Sequence, residues 1–235
     1  MPVISDLRLP LTVEDVSTAL GSRRTRLASP SMRARVSEIL SCVDAGHWLE
    51  PAVSYRIWAV SERGREWVEL AGGSRLHATL LAHRLQLATH FAVGVCTVGS
   101  VLEKQVSQWF ASGDRLRSVL LDDIGTLALY QLSDRLEEMI REEAAVRGLD
   151  ASGVLNPGDD GFDLRDQTTI IQLAGGADIG VSVTPTSMLA PRKTLSMVIG
   201  LGQQMPKWSR NEYCARCRSR DRCPHRRSLA EAALT

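Results

Sequence analysis

No hydrophobic run in the 235-residue chain approaches the roughly 20 residues needed to cross a bilayer. The opening MPVISDLRLP has neither the basic nor the apolar region of a secretion signal. A cytoplasmic location is the expectation. Charge of one sign is missing too: 28 Lys and Arg face 27 Asp and Glu, and a net charge of +1 makes no global case for nucleic acid or membrane as partner. There is no Gly-rich phosphate loop of either nucleotide type, no His-Glu-x-x-His and no Gly-x-Ser-x-Gly. Nucleotide, zincin and hydrolase readings therefore have nothing to stand on. The five histidines (His47, His77, His83, His90 and His225) are scattered, and only His83 and His90 have a spacing that puts them on one helical face.

What is present is ordinary for a folded protein. Hydrophobic residues make up 44% and charged residues 23%, which excludes wholesale disorder. The length suits one large domain with a short appendage. Thr12-Val-Glu-Asp15 reads as an N-cap opening a helix that stops at Gly21, and Met32, Val36, Ile39 and Leu40 recur at helical spacing over 31–43. Tyr55 to Val60 reads as a strand and 76–88 as a helix. The apolar, β-branched stretch His90 to Gly99 reads as a buried strand. A helix over 100–111 ends before Gly113, and a long one over 114–147 ends before Gly148, with Gly125 as a place to split or bend it. Asn156-Pro-Gly158 and Asp160-Gly161 form a turn-rich loop; a helix over 164–173 and strands at 181–184 and 194–200 follow. The expected organisation is an N-terminal part, 1–90, of the same globular unit, a core over 91–202 and a basic Cys-rich tail over 203–235.

The tail carries the plainest motif, Cys214-x2-Cys217-x5-Cys223 followed by His225. Two cysteines three apart can grip one ion, and the longer gap lets the chain return with a third. In a reducing compartment such a cluster points to metal or redox chemistry before disulfides. Three readings stand. One is an iron–sulfur cluster of the 4Fe-4S kind, its fourth ligand distant or exogenous. A zinc site completed by His225 is the second, and free thiols in a basic tail the third. Eight basic residues lie between Lys207 and Arg227 against Glu212 and Asp221. They would lower thiolate pKa values and offset the charge of a thiolate-bound centre. With only Trp208 and Tyr213 to stack on bases, they suit an acidic protein partner better than nucleic acid.

From Val93 to Gly202 several pieces occur in a familiar order. They are Cys96-Thr-Val-Gly99 with Leu102-Glu-Lys-Gln-Val-Ser, Ala111-Ser-Gly-Asp114, Leu121-Asp-Asp-Ile-Gly125, Leu132-Ser-Asp-Arg-Leu-Glu-Glu138, Asn156-Pro-Gly158, and Val183-Thr-Pro-Thr-Ser-Met-Leu-Ala-Pro191 leading to Leu195-Ser196. In their order and spacing they resemble the cobalamin-dependent methionine synthase activation-domain family. The resemblance implies an α+β fold, a curved antiparallel sheet with packed helices and a shallow groove for S-adenosylmethionine. It also implies a partner, a corrinoid protein or corrinoid-dependent methyltransferase, whose cobalamin the domain caps during reductive reactivation. By the same resemblance Glu138, Asn156, Pro157 and Gly158 are the cofactor-binding positions. The match is partial: Val154, Asp159 and Ile199 stand where the family has an arginine and two tyrosines, which counts against S-adenosylmethionine as a bound cofactor. The expected function is an accessory that reactivates such a system, relaying an electron to cobalt through the cysteine centre. The alternatives are an S-adenosylmethionine-binding reactivation domain acting in trans and a non-catalytic zinc-stabilised interaction module.

Overall fold

The computed structural model describes residues 3–5, 7–21 and 29–208, with Glu212, Ala215 and Asp221 singly. Numbered in chain order, the elements are β1 (Val3–Ile4), α1 (Val13–Gly21), α2 (Pro30–Ala45), β2 (Ala52–Arg63), β3 (Val68–Leu70), β4 (Arg75–Leu76), α3 (Thr79–Arg84), β5 (Ala88–Thr97), α4 (Val101–Ala111), α5 (Arg115–Val146), β6 (Asp150–Leu155), α6 (Gln167–Ala174), β7 (Ser182–Val183), β8 (Leu189–Ala190) and β9 (Thr194–Gly202).

The apolar run after residue 90 lies in the middle of the sheet, where a segment buried on both faces belongs. β5 pairs antiparallel with β2 on one side and β9 on the other. The full order is β4-β3-β2-β5-β9-β6, with β1 also on β2. Because side chains alternate along a strand, β5 feeds two cores. Phe91, Val93 and Val95 meet α3 and α6 through Leu81, Leu85, Ile170 and Ile171. Ala92 and Cys96 turn the other way, onto Leu132, Leu136 and Ile140 of α5. A third cluster joins α2, α4 and the first half of α5 through Ile39, Leu102, Leu121 and Ile124. The fold is thus α+β, an antiparallel sheet with helices on both faces. Among the described residues no helix is long and apolar enough to cross a membrane.

Several local expectations give way to tertiary pairing. The helix expected over 76–88 is only Thr79–Arg84. Leu76 pairs with Val68, Ala78 bridges Phe162, and Ala88 already pairs with Gly202, so sheet bonds claim both ends of the segment. β6 has no sequence signal, since Ser152 and Gly153 are weak strand formers. It exists because β9 offers an open edge, with a bulge between Ala151 and Val154. Gly153 is needed there, because a Cβ would lie 2.2 Å from the Trp208 indole. Trp208 in turn donates from Nε1 to the Val154 carbonyl at 3.1 Å and carries the Arg84 guanidinium 4.2 Å from its ring. The helix expected at 164–173 begins as a 3-10 turn, Leu164–Asp166, before α6. At 181–184 the strand shrinks to β7, which among the described residues pairs with β8 in a separate two-stranded sheet.

Gly125 does not split α5, which runs unbroken for 32 residues. The glycine admits a close approach: a Cβ there would sit 2.6 Å from Leu102 Cδ2, on a side chain that is fully buried. Gly125→Ala would gain about 1 kcal/mol of helix propensity but force overpacking that costs roughly 1–3 kcal/mol. Urea unfolding is expected to show a net loss of stability that Leu102→Ala largely suppresses in the double variant. A stabilised G125A protein would show that the contact is slack.

Candidate functional site

The loop between β6 and α6 is closed on itself. The Asn156 N–H donates to Asp159 Oδ2 at 2.7 Å and the Asp159 N–H returns to the Asn156 carbonyl at 3.0 Å. The Gly158 N–H donates to the Phe162 carbonyl at 3.0 Å, and Gly158 takes φ +92°, which a β-branched residue could hold only with strain. Phe162 pins the loop by burying its ring in the core beside Leu76 and Leu81. The carboxylate of Asp159 is thereby turned toward shaping the loop.

Opposite the loop stand the end of the β3–β4 hairpin and the start of α3. Between them is an open cleft of ≈ 520 Å³ lined by Glu66, Trp67, His77, Thr79 and the loop from Gly158 to Asp163. Trp67 is a firm wall: Gly64 leaves room that a Cβ would fill at 2.3 Å, and the Arg75 guanidinium lies 4.2 Å from the ring. His77 and Asp166 stitch the two sides together across 89 residues. Asp166 is 5% exposed, and one of its oxygens accepts from the His77 backbone N–H while the other lies 3.0 Å from His77 Nδ1. The His77 carbonyl accepts from the Asp163 N–H at 3.2 Å.

Electrostatically the cleft is acidic. Its charged lining side chains are Glu66, Asp159, Asp160 and Asp163, and no lysine or arginine lines it. Hydrogen bonds from the Arg165 guanidinium and backbone N–H, reinforced by charge from Arg165 and His77, pull the Asp163 carboxyl down to about 2. Among the described residues no group of three or more His, Cys, Asp or Glu is placed to hold a metal ion.

Of the expected binding positions, Gly158 lines the cleft, and Asn156 and Pro157 build the turn that presents it. Glu138 stands on the exposed side of α5, 2.7 Å from Arg135 Nη1, and is not in the cleft lining. Ile199 is fully buried in the core facing α5, so that strand position offers nothing to a ligand. The Val154 carbonyl is engaged by Trp208. Lys193 is drawn onto α5, 2.9 Å from Asp122 and 2.7 Å from Thr126 Oγ1. Cys214, Cys217, Cys223 and His225 lie outside the described residues. Trp67, His77 and Asp166 were invisible in the sequence, because only the pairing of distant segments makes them neighbours.

The sequence matches no protein-family model and no curated protein. The fold, however, is similar to the crystal structure of the MetH reactivation domain bound to AdoHcy. The TM-score is 0.63 over 89% of this chain and 81% of that one, at 12% identity.

Asp163 yields a test of this electrostatic picture. A carboxyl whose folded pKa is depressed contributes stability above its unfolded value, about 3.9, and loses it as pH falls toward 2. Carbon-detected NMR should therefore find the Asp163 carboxyl midpoint near 2. Arg165→Ala should return it toward the ordinary carboxylate range; an unmoved midpoint would refute Arg165 as the cause.

Proposed function

We propose that this chain is an accessory of a corrinoid-dependent methyltransferase system, a reactivation-type domain that meets the cobalamin of its partner and binds an adenosyl ligand in the cleft beside Gly158. One observation carries the reading. The fold is shared with a reactivation domain that holds AdoHcy, and the Asn156-Pro157-Gly158 loop, assigned to adenosylmethionine by the sequence resemblance, is a wall of the cleft.

The residues fit such a ligand in part. Trp67 gives the cleft an aromatic wall, Gly158 allows close backbone approach, and the carboxylates favour a sulfonium cation over a neutral thioether. No guanidinium lines the cleft to hold the ligand's carboxylate, consistent with valine at position 154. The chain's own residues would bind and orient the ligand, whose methylsulfonium supplies the methyl group.

A second element of the reading concerns the tail. Its root is docked, with Trp208 against Gly153 of β6, the strand that runs into the Asn156 loop. Cys214 follows Trp208 by six residues, and a chain of that length spans at most about 20 Å. The reading includes a metal centre on Cys214, Cys217 and Cys223. We assign it the relay of an electron to cobalt as an iron–sulfur centre, with a zinc site completed by His225 as the alternative and the partner's acidic surface as the counterpart of the basic tail.

Calorimetry should find micromolar binding of S-adenosylmethionine, weakened at least tenfold in Gly158→Val, in which a β-branched side chain is forced to positive φ. No binding to the unmodified protein would sink the adenosyl reading. Anaerobically purified protein should contain iron and sulfide and absorb broadly near ~400 nm, and lose both on triple Cys→Ser substitution at 214, 217 and 223. A colourless protein with one zinc per chain would remove the electron relay.

A further inference from the structure

The Asp166 carboxylate is buried, and both of its oxygens are directed at a single residue, His77. One accepts from the backbone N–H, the other lies against ring Nδ1 at 3.0 Å. Tying the hairpin to the loop needs only the first of these bonds. The second spends a buried carboxylate oxygen on an imidazole whose side chain is otherwise 65% exposed and lines the cleft. A carboxylate accepts hydrogen bonds and cannot donate them. Of the two neutral tautomers it therefore favours the one with the proton on Nδ1, whose lone pair is on Nε2 at the far side of the ring. Metal-binding histidines are oriented by partner carboxylates in the same manner, but no metal-ligand cluster is present among the described residues. The lone pair is thus presented to whatever occupies the cleft.

The charge of the lining narrows what that is. The lining holds four carboxylates, Glu66, Asp159, Asp160 and Asp163, and no lysine or arginine, with Arg165 meeting Asp163 at 2.6 Å from outside the lining, so the balance of charge disfavours an anion. We infer that His77, held in one tautomer by Asp166, is the cleft's hydrogen-bond acceptor toward its ligand and selects a small ligand that carries an N–H or O–H donor and no net negative charge. This rests on the cleft being the ligand site proposed above. It adds the residue that reads the ligand and the property it reads. The role is contact and positioning; no bond is made or broken.

The test uses the full chain labelled with nitrogen-15 in histidine, with adenosine and S-adenosylmethionine as probes. The unliganded protein should show the Nδ1–H tautomer at His77. Saturation with a probe should move the His77 Nε2 resonance, as acceptance of a hydrogen bond requires. His77→Ala should weaken binding about tenfold, equivalent to 1.4 kcal/mol, measured well below a melting temperature that is expected to fall because a buried Asp166 oxygen loses its partner. His77→Gln, which keeps an acceptor oxygen, should recover part of the loss, and Asp166→Asn should weaken binding and mix the tautomers. An Nε2–H tautomer in the unliganded protein overturns the inference. So does unchanged affinity in His77→Ala. If S-adenosylmethionine binds and is indifferent to His77, this inference falls while the reactivation reading stands. If adenosine binds through His77 and S-adenosylmethionine does not bind, the inference stands and the reactivation reading falls. Binding of neither probe removes both.

Discussion

The structure depends on one strand being covered on both sides. β5 hydrogen-bonds to β2 and β9 along nearly its whole length and sends alternate side chains into two cores, so neither face of the sheet can be left wet. The long helix α5 covers one face, and α3 with α6 the other. At Gly94 the backbone itself leaves room for the helix: a Cβ there would come 3.2 Å from Leu136 and 3.4 Å from Tyr55. Hydrophobic burial of this kind is non-directional, but the two-residue period of the strand converts it into a strict assignment of each residue to one layer.

The candidate site lies away from that core, where the α6 side of the sheet meets the β3–β4 hairpin. It is assembled from a hairpin and a loop that are each locally rigid. Trp67 is set by Gly64 and Arg75, the loop by its own turn bonds and the anchoring ring of Phe162, and the two are fastened to each other by His77 and Asp166. A cleft built this way is pre-organised, so little ordering entropy is left to oppose a ligand. Its acidic lining favours positive charge, and the missing lining cation sets it apart from a site that grips a carboxylate. The Gly153–Trp208 contact brings the root of the cysteine tail to the neighbouring edge strand.

Much of the architecture was readable in the chain. The buried strand, read over 90–99 and found over 88–97, helices α1, α2, α4 and α5, the glycine ends of α4 and α5, and the turn at Asn156-Pro157-Gly158 all follow from periodicity and turn chemistry that act within a few residues. The resemblance of scattered motifs over 93–202 to an activation-domain family anticipated an α+β antiparallel fold, which the structural comparison supports at 12% identity. Local pattern misled where pairing partners are remote. Leu76 to Ala88 has helical periodicity but is claimed at both ends by the sheet. Gly125, read as a break, is the point where Leu102 closes onto α5.

The sequence by itself determined which segments are strands or helices wherever the signal is local, and it determined that Cys214, Cys217, Cys223 and His225 form a ligand-rich motif. Only the tertiary structure decided that Glu138 faces outward beside Arg135, that Ile199 is core, and that Trp67, His77 and Asp166 share a cleft with Gly158. The reason is physical. Turn and helix preferences are carried by neighbours along the chain, whereas His77 and Asp166, 89 positions apart, meet only after antiparallel strands have paired and closed the chain between them.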